Sequence, residues 1–144
     1  MLIDPIKFSC TLDLKEHENV LTALELHETL CNEHHRPICM FSFNVSVLEP
    51  SESSTVIWLR DVDEQAELGA VRYFIERLCG VIALTGTWGF EYSCNSFTNL
   101  VPEFGGGVML FDLNSGDVVK WHSTDEWMEM ALQDPSTVPT PATI

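Results

Sequence analysis

The chain has 144 residues, 45% of them hydrophobic and 20% charged, a balance that belongs to a folded globular chain and excludes a disordered one. At that length one domain can bury about two-thirds of the surface its unfolded form exposes, so no disulfide framework is required. Seven Lys and Arg stand against 22 Asp and Glu, a net charge of −15, which disfavours direct contact with nucleic acid or anionic membranes.

Taken in order, residues 6–12 alternate, with Ile6, Phe8, Cys10 and Leu12 on one side and Lys7, Ser9 and Thr11 on the other, the period of a half-buried strand. From Asp13, a candidate N-cap, the pattern turns helical. Leu14, Leu21, Leu24 and Cys31, or the overlapping set Val20, Leu24 and Cys31, form the apolar stripe, and the helix runs to about Asn32. Pro37 closes it. A second strand follows, with Phe41, Phe43, Val45 and Val47 facing one way, and the polar turn 49–54 leads into a third, TVIWLR. Asp61, Asp63, Glu64 and Glu67 then read as the acidic first turn of a second helix that ends near Gly80. Trp88, Phe90, Tyr92 and Cys94 alternate in a fourth strand.

The order β-α-β-β-α-β predicts an α+β fold with a ferredoxin-like antiparallel sheet and both helices on one face. Beyond it, residues 95–104 read as a loop. GGGVMLFDL, the turn Asn114–Asp117 and VVKW form a second hairpin, and Ser123-Thr124-Asp125-Glu126 is a capping box opening a short helix to about Leu132. Residues 1–134 are therefore expected to form a single domain, and 135–144, with three prolines, a disordered tail.

Five cysteines with no CxxC pattern read as small buried hydrophobes in a reducing compartment. No signal-like N-terminus and no membrane-length apolar run are present, so a cytoplasmic location is expected. Four places carry candidate chemistry. Gly105–Gly107 lead into a strand without a following lysine, which fits a bulge or a close approach to the rings of Phe104, Trp88 or Trp121 better than a phosphate loop. His27, Cys31, His34, His35 and Cys39 match no zinc spacing, so no metal and no cofactor are expected. Trp88, Glu91, Glu103, Trp121 and His122 could line a ligand pocket under the Gly-rich strand, although the three tryptophans Trp88, Trp121 and Trp127 fit a core better. Cys94, Asn95 and His122 make only a weak nucleophile–base suggestion, and no catalytic residue is assigned.

The carboxylates carry more information. Glu16, Glu18, Glu25, Glu28 and Glu33 cluster on the first helix, Asp61, Asp63, Glu64 and Glu67 precede the second, and Asp125, Glu126, Glu129 and Asp134 gather near the end. Ordinary solvated helices mix both signs, whereas these almost lack lysine.

The run FGGGVMLFDL followed by KWHSTDEW resembles small phage and mobile-element proteins that end in a Gly-Gly-Gly strand and a Trp-containing helix. The short acidic chain is also similar to immunity proteins of bacterial toxin systems. Neither likeness assigns a role to any residue.

The expected function is accordingly a non-enzymatic acidic inhibitor that neutralises a basic protein: a nuclease, a toxin or a DNA-binding defence factor. Its recognition residues would be Glu16, Glu18, Glu25, Glu28, Asp61, Asp63, Glu64 and Glu67, with Trp58 and Phe97 as exposed aromatic anchors. Two alternatives remain open, the small-molecule or hydrolytic pocket named above and a homodimer formed through a free sheet edge.

Overall fold

The computed structural model describes residues 5–33, 42–51, 53–98 and 101–137, without the side chains of 95–98, 101–104 and 137. These residues form a mixed α+β fold of two antiparallel sheets and three α-helices. Its elements are β1 (Ile6–Lys7), β2 (Ser9–Asp13), α1 (His17–Glu33), β3 (Phe43–Val47), β4 (Val56–Asp61), α2 (Leu68–Val81), β5 (Thr87–Thr98), β6 (Val101–Asp112), β7 (Asp117–Ser123) and α3 (Thr124–Gln133). One sheet has the order β1-β5-β6-β7 and the other β2-β4-β3.

The first expected strand is divided at Phe8. Ile6 and Lys7 pair with Cys94 and Ser93 of β5, while Ser9–Asp13 pair with Arg60–Val56 of β4. Asp61 holds the break. Its Oδ1 accepts the Phe8 N–H at 2.9 Å, its own N–H donates to the Phe8 carbonyl at 3.1 Å, and its Oδ2 accepts the Glu64 N–H at 2.8 Å. On the other side Trp88 Nε1 donates to the Thr11 carbonyl at 2.9 Å, tying β5 to β2 where no ladder runs.

Both helices begin later than their acidic residues suggest. Asp13 ends β2 instead of capping a helix. Its Oδ1 accepts the Lys15 N–H at 2.9 Å, with Lys15 in the left-handed region at φ 73°, and α1 starts only at His17. Likewise Asp61 belongs to β4, and Asp63 and Glu64 take φ values of 52° and 59°, a turn no helix can include, before α2 opens at Leu68. Leu21, expected on the buried stripe of α1, is 54% exposed, whereas Val20, Ala23 and Leu30 are buried.

Residues 95–104 are not a loop. The β5–β6 ladder runs from Thr87↔Asp112 to Thr98↔Val101, leaving only Asn99 and Leu100, which lie outside the described residues. Pro102 is compatible with this because β7 covers only Gly107–Asp112, so among the described residues the outer side of β6 is unpaired there and asks for no N–H. The triple glycine therefore sits mid-strand, opposite Cys94, Ser93 and Tyr92. The ring it accommodates is that of Tyr92, whose Oη accepts the Trp121 Nε1–H at 2.6 Å. A methyl on Gly107 would meet that Oη at 2.6 Å and the His122 carbonyl at 2.5 Å.

One hydrophobic core joins the parts. It is lined by Leu68, Ala70, Val71, Phe74, Ile75 and Leu78 of α2, by Val20, Ala23 and Leu30 of α1, and by sheet residues from Ile6 to Phe111. Phe43 lies at its centre, with ring centroids 5.8 Å from Phe74 and 6.3 Å from Phe8. Pro135–Thr137, expected to be disordered, form a 3-10 turn in which Asp134 Oδ1 accepts both the Ser136 N–H and hydroxyl, and residues 138–144 lie outside the described part.

Candidate functional site

The first acidic group is displayed as expected. Glu18, Glu25, Glu28 and Glu33 lie on the solvent side of α1, and Glu16 is exposed just before it. α1 has no Lys or Arg in its 17 residues. Among the described residues the ion pairs are Lys7–Glu64 at 3.4 Å, Lys15–Asp13 at 3.8 Å and His122–Glu126 at 4.0 Å, and none involves α1. The helix offers a row of carboxylates around the exposed Leu21.

The second group is occupied differently. Asp61 bonds two backbone N–H groups, Glu64 meets Lys7, Glu67 takes the N-cap position of α2 without a side-chain cap bond, and Asp63 is exposed. Trp58 is half-buried on the face of β4 that turns away from the core residues Ile57 and Leu59. Its Nε1 donates to Ser9 Oγ at 2.8 Å, and the Arg60 guanidinium lies 4.0 Å above its ring. Arg60 also donates to Ser46 Oγ at 2.9 Å, which fixes the stack. The side chain of Phe97 is not described.

The five residues expected to line one pocket are sorted by strand register. Glu91, Val108 and His122 stand in one cross-strand row on β5, β6 and β7. Trp88 and Trp121 belong to the opposite face, one residue out of phase. Trp88 packs on Phe90 and Phe111 with centroids 5.7 Å away, and Trp121 is anchored to Tyr92. Trp121 and Trp127 are 40% and 47% exposed, so neither is a core residue. Glu103 pairs with Ser96 toward the far end of the hairpin, several residues from this row.

A notch of about 220 Å³ opens where α3 leaves the sheet, lined by Glu91, Tyr92, Gly107, Val108, His122, Ser123, Thr124 and Trp127. Two strand spacings of roughly 4.8 Å separate the backbone positions of Glu91 and His122, with Val108 standing between them. A larger cleft of about 450 Å³ lies at the division between the sheets, with Lys7, Arg60, Asp61 and Glu91 along it beside Trp58 and Tyr92. Its two cations and two carboxylates leave it without a net sign.

His27 packs against the core. Its Nε2 lies 3.0 Å from the Phe43 carbonyl, and its ring packs edge-on against Phe43 and Phe74. Cys31 Sγ is 3.9 Å from it, while His34, His35 and Cys39 are outside the described residues. Among the described residues no group of three His, Cys, Asp or Glu could hold a metal ion. Cys10, Cys31, Cys79 and Cys94 are half-buried rather than fully enclosed, and burial pushes the Cys10 thiol up to about 12 and raises Cys79. No helix among the described residues is long and apolar enough to cross a membrane.

The feature that sequence reading missed is the exposure of the apolar side chains of α3. Its N-cap is the expected one, Ser123 Oγ accepting the Glu126 N–H at 3.2 Å, yet no residue of the helix is buried. Trp127, Met128 and Leu132 follow the four-residue helical spacing beside Ala131, and Met128 and Leu132 are 53% and 77% exposed. That spacing was the available signal, and the expectation that Trp127 belongs to the core pointed away from it. Comparison with known protein families, with curated proteins and with solved structures finds no match to this chain.

Proposed function

We propose that this chain is a non-enzymatic acidic binding protein that neutralises a basic partner by occupying the surface with which that partner holds nucleic acid. The observation that carries the reading is α1, whose exposed side presents Glu18, Glu25, Glu28 and Glu33 with no Lys or Arg on the helix. Such a row attracts a cationic surface over about 8–10 Å at physiological salt and speeds encounter, the behaviour expected of an inhibitor of a nuclease, a toxin or a DNA-binding defence factor. A DNA-mimic, anti-defence or immunity role fits the same chemistry.

The strand pairing supports a finer reading of the fold. If β1 and β2 are one interrupted strand, the sequence β5, β1/β2, β4, β3 is the order of a ferredoxin-like sheet, extended past β5 by β6, β7 and α3. The alternative of a hydrolytic or small-molecule pocket has Glu91 and His122 beside one notch in its favour. The notch is smaller than the roughly 300 Å³ at which ligand pockets begin. A homodimer would use β3, since the register shift between Leu110 and Phe111 blunts the other edge at β7.

Immobilised protein challenged with lysate at low and high salt tests the reading. Retention of basic proteins that high salt releases supports it; retention of none, or retention indifferent to salt, overturns it.

A further inference from the structure

The geometry points to α3 and the notch beneath Trp127 as the docking surface for a basic amphipathic segment of the partner, apolar side chains inward and Lys or Arg at the rim. This rests on the reading of the chain as a binder of a basic protein and specifies where and by what chemistry it binds. Three observations converge. First, α3 is a ten-residue helix with no fully buried residue, and a helix this short is marginal in water unless an apolar face is packed. Second, the exposed face is apolar and continuous with a recess: Trp127, Met128 and Leu132 are exposed, and Trp127 also lines the notch with Val108 and Gly107 as its apolar wall. A recess of about 220 Å³ accepts a side chain or two rather than a cofactor.

Third, the rim is predominantly acidic. Asp125, Glu126 and Glu129 stand on α3, Glu126 lying 4.0 Å from His122, Glu91 lines the notch, and Lys120 is the sole Lys or Arg on β5, β6, β7 and α3. A second copy of this chain would bring −15 against −15 and the same acidic rims into contact. A cationic segment with an apolar stripe satisfies both parts of the surface, the helix-in-groove mode in which i, i+3 and i+4 side chains anchor.

Two labelled peptides of about 18 residues test this by fluorescence anisotropy, one with Leu at helical spacing among Lys, the other with each Leu replaced by Gly at equal charge. The full chain is compared with the double variant Trp127→Ala/Met128→Ser and with Glu126→Lys/Glu129→Lys, circular dichroism confirming that each is folded. The Leu–Lys peptide is expected to bind about tenfold more tightly than the Gly–Lys peptide, an advantage that the apolar variant erases and the charge-reversed one reduces for both peptides. Equal binding of the two peptides, or a Leu–Lys affinity untouched by the apolar variant, overturns the docking surface while leaving an acidic binder standing. Binding of neither peptide removes both. Sedimentation showing a dimer that the apolar variant dissociates also overturns it, with the second copy as the occupant.

Discussion

The three consecutive glycines of β6 provide a graded test of how the sheet is packed. An alanine at Gly107 would place its methyl 2.5 Å from the His122 carbonyl and 2.6 Å from Tyr92 Oη, where ordinary contact needs at least 3.4 Å. The first neighbour is backbone of the paired strand, so β6 and β7 must separate by nearly an ångström, or Tyr92 must leave Trp121. Overpacking of this kind costs about 1–3 kcal/mol, and losing the Tyr92–Trp121 bond about 1 kcal/mol more. Gly107→Ala should therefore destabilise by about 2–4 kcal/mol, a large part of the ~5–15 kcal/mol that holds a typical domain. Gly106→Ala should be similar, because its methyl would strike the Tyr92 carbonyl. At Gly105 the nearest atom is Cys94 Sγ at 3.3 Å, a side chain that can yield, and Ala reduces the entropy of the unfolded chain. Gly105→Ala should stay within about 1 kcal/mol of the parent. Urea unfolding followed by tryptophan fluorescence measures all three. Equal losses at Gly105 and Gly107, or a neutral Gly107→Ala, would refute the reasoning.

Asp61→Ala should cost about 2 kcal/mol by leaving the Phe8 and Glu64 N–H groups without their acceptor, and Asp61→Asn less, since its amide oxygen can still serve Phe8. If chemical denaturation shows Asp61→Ala to be neutral while binding of a basic peptide falls, Asp61 is a recognition residue and its structural role is wrong. The Cys10 thiol, raised by burial to about 12, retains its proton in the folded state where an unfolded cysteine near 8.5 has lost it. Its contribution is therefore complete below about pH 8.5 and falls as pH rises toward 12, and Cys10→Val should flatten this alkaline limb by about 2 kcal/mol near pH 10. Cys79 and Tyr92, also raised by burial, act in the same direction and leave a residual slope. On the acid side Asp112 and Asp134 are held low by bonds from Asn114 and Ser136, and Asp13 by the Lys15 N–H. Their contribution is present above the ordinary carboxylate range and lost as pH falls through the lowered values; Asp112→Ala should reduce the slope of an acid titration, and an unchanged slope would count against the Asn114 contact.

The arrangement separates two kinds of acidic residue that composition treats alike. Those on α1 are free to set the field around the molecule, whereas Asp61, at the end of β4, holds the chain where the two sheets part. Charge reversal in α1 should consequently alter association, whereas removal of Asp61 should alter folding.

Period and punctuation were enough to mark most elements, because local spacing alone decides which side chains can share a face. Alternation at residues 6–12 and 88–94, the Ser123 cap and the Asn114–Asp117 turn are all local in this sense. Partner choice is not local. That Ile6–Lys7 join β5 while Ser9–Asp13 join β4 depends on the Asp61 carboxylate reaching Phe8 across 53 positions, and no pattern within residues 6–12 records it. Register decided the candidate sites in the same way: one residue of phase puts Glu91 and His122 on one face and Trp88 and Trp121 on the other. The carboxylates of α1 were legible because a polar helix face announces itself. The uncovered stripe of α3 was not, because amphipathic spacing states that a face is apolar, and only the packing of the whole chain determines whether anything covers it.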